Sequence, residues 1–78
     1  MTRHPMTEET FTMEAQGHSF RVTVTREAAQ RWAWRAIASD GWKLLSGVAE
    51  PIETMEEALG RVRQDVRYLA QECARRGE

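Results

Sequence analysis

The fold of this chain is decided by residues 54–73, which read TMEEALGRVRQDVRYLAQEC. Apolar residues recur in this segment every three or four positions, at Met55, Ala58, Leu59, Val62, Val66, Leu69, Ala70 and Cys73. This spacing predicts an amphipathic helix with one wide apolar face, and such a face must be buried against another element. The residues that precede the helix must therefore supply a surface on which it packs.

Both ends of the predicted helix are marked in the sequence. Pro51 disfavours helical geometry at the residue before it, and Thr54 with Glu57 three positions later forms a capping box. Arg75 and Arg76 lie at the other end, before Gly77, where cations interact favourably with the helix dipole. We therefore expect the helix to begin after its cap at Thr54 and to end near Arg76.

The first half of the chain predicts a β-hairpin. Apolar and polar residues alternate in Phe11–Ala15 and again in Phe20–Thr25, which is the period of a strand with one buried face. Gln16 and Gly17 lie between the two runs, and glycine readily adopts the positive φ that a tight turn requires.

A second hairpin is predicted from residues 31–48. Trp32 and Trp34 alternate with smaller or polar residues in a strand over Arg31–Ser39, and Asp40-Gly41 is a strong two-residue turn signal. The returning strand is Trp42–Val48. The alternative for residues 26–38 is a helix capped by Thr25, because Glu27, Ala28, Ala29 and Gln30 have good helix propensity.

The predicted fold class is α+β: a four-stranded antiparallel meander followed by one C-terminal helix on one face, in the order β-β-β-β-α. We expect residues 1–8 to form a disordered N-terminal tail and residues 9–76 to form a single domain. A chain of 78 residues has only a thin core, which leaves room for little more than one helix on one sheet.

The composition excludes several classes of protein. With 11 basic and 12 acidic residues the formal net charge is −1, so there is no general electrostatic attraction to nucleic acid or to an anionic membrane. No segment approaches the ~20 apolar residues of a membrane span, and the first residues lack the apolar run of a secretory signal. These features predict a cytoplasmic protein without a membrane partner.

The sequence offers little material for catalysis or metal binding. His4 and His18 are far from the single cysteine, Cys73, whose place on the apolar helix face predicts a buried thiol. Glu56 and Glu57 are explained by the helix dipole, and there is no glycine-rich phosphate loop. We therefore expect neither a cofactor, nor a metal, nor enzymatic activity.

Function is expected to reside on the face of the sheet that the helix leaves open. In one assignment by alternation, the residues that face the helix are Phe11, Met13, Phe20, Val22, Val24, Trp32, Trp34, Trp42 and Leu44. The open face then carries Thr12, Glu14, Arg21, Thr23, Thr25, Ala33, Arg35, Ile37, Lys43 and Leu45.

Two binding functions are expected for the sheet, and they differ in which face carries the tryptophans, a point that the sequence leaves open. The leading hypothesis is a protein-interaction or accessory module that uses the open face, with Ile37 and Leu45 as its apolar centre, or that self-associates into a homodimer. The alternative is a nucleic-acid-binding domain in which Arg21, Arg35 and Lys43 accompany the exposed rings of Trp32, Trp34 and Trp42.

Residues 31–69 resemble the unit of the YegP-like small bacterial proteins, whose function is unknown. The resemblance is carried by Trp32, Trp34, Arg35 and Gly41, followed by a short strand and an amphipathic helix. Ala36 departs from the family pattern, in which a larger aliphatic residue is usual. The resemblance implies an antiparallel ββα unit and transfers no functional residue.

Overall fold

A computed structural model describes residues 8–77 of the chain. Four strands form one antiparallel sheet in the order β1-β2-β3-β4, and a single helix follows them, which confirms the predicted α+β meander. The elements are β1 (Glu8–Ala15), β2 (His18–Ala28), β3 (Arg31–Ala38), β4 (Leu44–Ala49) and α1 (Met55–Arg75). Of the predicted disordered tail, residues 1–7 lie outside the described residues, whereas Glu8 already pairs with Thr25 in the sheet.

The first hairpin is as predicted, with strands longer than the alternation indicated. Gln16 and Gly17 both have positive φ, at 55° and 78°, as a type I′ turn requires. This turn twists in the same sense as the flanking strands, and Ala15 and His18 pair directly across it.

Residues 26–28 and 31–38 lie in strands joined by a turn at Ala29 and Gln30, and the helical alternative for residues 26–38 is wrong. β2 continues past Thr25 to Ala28, with a bulge between Arg26 and Ala28, and the chain returns at Arg31. The helix propensity of this stretch is outweighed because pairing with β3 places Trp32 and Trp34 on the buried face of the sheet.

Helix α1 is capped as predicted. The hydroxyl of Thr54 accepts a hydrogen bond from the amide of Glu57 at 3.2 Å, and the Glu57 carboxylate accepts one from the amide of Glu53 at 3.3 Å. Gly60 is exposed on the side of α1 opposite its buried stripe. The buried residues of α1 are Met55, Ala58, Val62, Val66, Ala70 and Cys73, which is the predicted stripe without its two leucines. Leu59 and Leu69 flank it and are partly buried.

The connection from β3 to β4 is a longer loop than the predicted two-residue turn. β4 begins at Leu44, and Trp42 lies in the loop, where its amide donates to Oδ1 of Asp40 at 3.0 Å. Across the loop, β3 and β4 pair with Ala36 opposite Leu45 and Ile37 opposite Leu44.

The predicted faces of β4 are exchanged. Directly opposed residues of antiparallel strands lie on the same face, so Leu45 shares the face of the buried Ala36 and is only 8% exposed. Leu44, opposite Ile37, lies on the open side and is 64% exposed. The prediction that Leu44 meets the helix and Leu45 lies on the open face is therefore wrong.

Candidate binding face

The side of the sheet that faces away from α1, here called the outer face, is mainly polar. The strand register assigns to it Glu8, Thr10, Thr12, Glu14, Ser19, Arg21, Thr23, Thr25, Ala33, Arg35, Ile37, Leu44, Ser46 and Val48. On β1 and β2, most of the residues on the outer face are threonines and glutamates. The outer sides of β3 and β4 differ from them in carrying aliphatic residues.

An apolar strip lies on this face along β3 and β4. It consists of Ile37, Leu44 and Val48, whose exposed fractions are 47%, 64% and 40%. Ile37 and Leu44 are direct cross-strand neighbours, and Val48 lies four residues further along β4, on the same face as Leu44. The strip is thus a cross-strand pair, Ile37 and Leu44, with Val48 beyond Ser46 on the same face.

Two arginines of the outer face lie beside the apolar strip. Arg21 on β2 pairs directly with Ile37 on β3. Arg35 lies on β3 midway between Ile37 and Ala33, which pair with Leu44 and Val48 of β4. Within residues 8–77, neither guanidinium makes an ion pair or a hydrogen bond. The other arginines of the sheet are engaged: Arg26 donates to the carbonyl of Ala29, and Arg31 pairs with Glu27.

The sheet is open and concave at this place. A depression of about 720 Å³ extends over the outer face and is lined by Arg21, Thr23, Arg35, Ile37, Leu44 and Ser46 among others. It brings the two guanidinium groups, which are unpaired within residues 8–77, and all three members of the apolar strip to one surface. The arrangement can therefore contact apolar groups and anionic groups together.

Of the eight residues predicted for a binding site, three lie on the outer face: Arg21, Arg35 and Ile37. Leu45 is buried beneath α1, as are Trp32 and Trp34, which are 1% and 4% exposed. Trp42 and Lys43 lie in the loop before β4, both half-buried. The structure thus removes Leu45, Trp32 and Trp34 from the site, because their cross-strand partners, the buried Ala36, Ala49 and Val24 respectively, lie on the helix side.

Two residues of the site, Leu44 and Val48, were absent from the predicted set. The signal that identifies them is the Asp40-Gly41 turn itself. The turn sets a register of β4 against β3 in which Gly47 is opposite the buried Trp34 and therefore lies on the helix side. Leu44 and Val48 are an odd number of positions from Gly47, so they project to the other side.

A second cluster lies at the end of the sheet, where the β3–β4 loop meets the start of β2. The ring of His18 stacks on that of Trp42, with centroids 4.0 Å apart, and its Nδ1 lies 2.7 Å from Oδ2 of Asp40. The hydrogen bond from the Trp42 amide, followed by that from His18, lowers the pKa of the Asp40 carboxyl below its ordinary value.

This cluster has the form of a histidine–aspartate pair, without the third member that nucleophilic catalysis requires. Among the described residues, no serine, threonine or cysteine side chain is hydrogen-bonded to His18. Residues 8–77 also contain no group of three histidine, cysteine, aspartate or glutamate side chains placed to hold a metal ion. The geometry therefore supports a structural role for the pair, which fastens the loop to the sheet.

Comparison with models of protein families, with curated proteins and with solved structures found no match to this chain. In the part of the chain that the structure describes, α1 is too polar to cross a membrane. The outer face and its chemistry are accordingly the basis for a functional conclusion.

Proposed function

We propose that this protein is a binding module that contacts a partner protein through its outer face. The partner surface is expected to combine apolar side chains with carboxylates. The observation that carries this proposal is the position of the apolar strip, Ile37, Leu44 and Val48, beside the unpaired guanidinium groups of Arg21 and Arg35.

The apolar strip supplies the hydrophobic part of such a contact. Single exposed aliphatic residues are normal on a protein surface, but adjacent ones on a sheet that is otherwise polar are typical of interaction sites. Covering Leu44 and Ile37 removes apolar area from water at about 25 cal/mol per Å². Because the two side chains are opposed across β3 and β4, one apolar group of a partner can cover both.

The arginines supply orientation and specificity. A guanidinium group binds a carboxylate through two parallel hydrogen bonds, and arginine is enriched in protein interfaces. Arg21 and Arg35 can make these bonds without first breaking an ion pair within residues 8–77. A partner with carboxylates beside its apolar groups therefore satisfies both parts of the face.

The same residues argue against face-to-face pairing of two copies as the main function. Arg21 and Arg35 lie on the two central strands, while the glutamates of the outer face, Glu8 and Glu14, are confined to the edge strand β1. Two outer faces brought together would bring arginines toward arginines, and like charges in an interface are unfavourable.

Single-stranded nucleic acid is the weaker alternative for the same arginines. Nonspecific binding of single strands relies on exposed aromatic rings on which bases stack. The described outer face carries no aromatic residue, since Trp32 and Trp34 are buried on the opposite side of the sheet. The face is therefore better suited to a protein partner than to a stacked nucleic acid.

Selection from a displayed library of random peptides, followed by affinity measurement, tests the proposal. We expect the selected peptides to be enriched in aspartate or glutamate next to apolar residues, and their affinity to fall with added salt. Arg35→Glu and Leu44→Ser should each weaken binding by about tenfold or more. The matched control is Arg67→Glu, which makes the same charge change on the exposed side of α1.

Equal loss of affinity in Arg35→Glu and Arg67→Glu would show that net charge, rather than the outer face, governs binding. Selection of basic peptides, or affinities unchanged by Leu44→Ser, would contradict the proposed partner chemistry. Tight binding of a single-stranded oligonucleotide, abolished by Arg35→Glu, would favour the nucleic-acid alternative.

A further inference from the structure

The two edge strands of the sheet differ sharply in charge. β1 has the sequence EETFTMEA, with Glu8, Glu9 and Glu14, whereas β4 has the sequence LLSGVA, without a charged residue or a proline. Charged residues and prolines are the usual means by which proteins prevent an edge strand from pairing with another chain. Only β1 is protected in this way, so β4 is the edge that remains able to pair.

The hydrogen-bonding pattern shows which backbone groups of β4 are available. The amide of Ala38 donates to the carbonyl of Lys43 at 3.0 Å, which identifies these two as a hydrogen-bonded pair of the ladder. In an antiparallel ladder such pairs alternate with pairs whose backbone groups point away from the neighbour. The N–H and C=O groups of Leu44, Ser46 and Val48 therefore point out from the free edge.

Apolar and incompletely satisfied groups surround this edge. The large exposed hydrophobic residues in the described chain are Ile37, Leu44, Val48 and Tyr68, and all of them border β4. A groove of about 180 Å³ runs between the strand and Tyr68 and reaches the indole of Trp34. The Nε1 of Trp34 is buried there, without a hydrogen-bond acceptor.

We propose that β4 pairs in antiparallel orientation with β4 of a second copy of this chain, about a two-fold axis at Ser46. This register opposes Leu44 of each copy to Val48 of the other and uses all the outward backbone groups of Leu44, Ser46 and Val48. The strand is self-complementary in this sense, because Leu44 and Val48 are equally distant from Ser46 and lie on the same face.

Charge selects the second copy's β4 over the other available edge. Two β4 strands meet without any charged side chain, whereas two β1 strands would bring their glutamates together. Pairing of β4 with β1 of another copy leaves a free edge at each end and grows without closure, while the two-fold arrangement is closed. The paired sheets also present their apolar strips side by side, which doubles the outer face without covering it.

The oligomeric state of the full chain, measured by light scattering coupled to gel filtration, tests this proposal. We expect a mass twice the 9.0 kDa of the chain at high protein concentration, decreasing on dilution. Ser46→Pro removes an outward amide that makes no bond to β3, so this variant should remain folded and should be monomeric. Ser46→Lys, which places charges at the axis, should also be monomeric.

The matched control is Thr12→Pro on the other edge. Its amide also points outward, because the Gln16-Gly17 hairpin makes Ala15 and His18 a hydrogen-bonded pair and Thr12 lies three positions before Ala15. Thr12→Pro should dimerise as the unmodified protein does. A chain that is monomeric at all concentrations, a folded Ser46→Lys variant that still dimerises, or loss of dimer in Thr12→Pro would overturn the proposal.

Discussion

The indole of Trp34 lies against the backbone of Gly47, its cross-strand neighbour on β4. A Cβ atom at Gly47 would come within 2.8 Å of Cζ2 and 2.9 Å of Nε1 of the ring. The ring is held in place by the core around it, so it cannot withdraw without disturbing the packing between the sheet and α1.

Gly47→Ala should therefore destabilise the protein. Overpacking of this kind typically costs about 1–3 kcal/mol, because neighbouring side chains are forced from their preferred rotamers. The free energy of unfolding from urea titration gives the change. An unaltered free energy would show that the indole moves aside without cost.

Gly60→Ala is the opposite case and serves as the control for Gly47→Ala. Gly60 lies on the exposed side of α1, and a Cβ there meets no atom within 4 Å. Alanine is favoured over glycine inside a helix by about 1 kcal/mol, so this variant should be more stable by roughly that amount. A decrease in stability on urea titration would indicate that this side of α1 makes contacts that the structure does not show.

The buried tryptophans should respond differently to the same truncation. The Nε1 of Trp32 donates to the carbonyl of Ile52 at 2.9 Å, whereas the Nε1 of Trp34 has no acceptor among residues 8–77. Trp32→Phe leaves the Ile52 carbonyl without its donor and should cost about 1–3 kcal/mol more than Trp34→Phe. Equal losses in free energy of unfolding, measured at protein concentrations where the chain is monomeric, would contradict this assignment.

Asp40 should make the stability of the β3–β4 loop sensitive to acid. The hydrogen bonds from the Trp42 amide and from His18 lower the pKa of Asp40 below its ordinary value of 3.8 in the folded state. A carboxyl whose folded pKa is depressed stabilises the fold at pH above its unfolded pKa, and this contribution is lost as the pH falls through the folded pKa.

Asp40→Asn should accordingly remove part of the loss of stability seen on acidification below pH 3.8. Thermal unfolding of both proteins across the acid range measures the difference. The carboxylate variant Glu50→Gln is a control, since Glu50 lies beyond the other end of β4 and belongs to an exposed pair with Arg31. Parallel acid profiles for the unmodified protein and Asp40→Asn would contradict the predicted role of Asp40.

Local signals were sufficient to predict most of the fold. The apolar stripe of α1, its Thr54 cap and the Gln16-Gly17 turn depend on residues close in sequence, and each is found where the pattern placed it. The end of β2 was missed because the helix propensity around Ala28 is a local preference that pairing with β3 overrides.

The candidate site was predictable only in part, for the same reason. Alternation along a single strand identified Arg21, Arg35 and Ile37, but the sides of β4 depend on its pairing with β3. Because of that pairing, Leu44 lies on the outer face and Leu45 on the helix side, the reverse of the predicted sides. The contact of His18 with Asp40 joins residues 22 positions apart, and no periodicity within either segment indicates it.

The central claim is that binding occurs on the outer face, where the apolar strip adjoins Arg21 and Arg35. Titration of the isotopically labelled protein with a selected acidic and apolar peptide, followed by NMR at each backbone amide, tests it most directly. We expect the amide chemical shifts to change at Arg21, Arg35, Ile37, Leu44 and Val48 and to stay constant along the exposed side of α1. Changes confined to α1 or to the His18 end of the sheet, with the outer face unaffected, would contradict it.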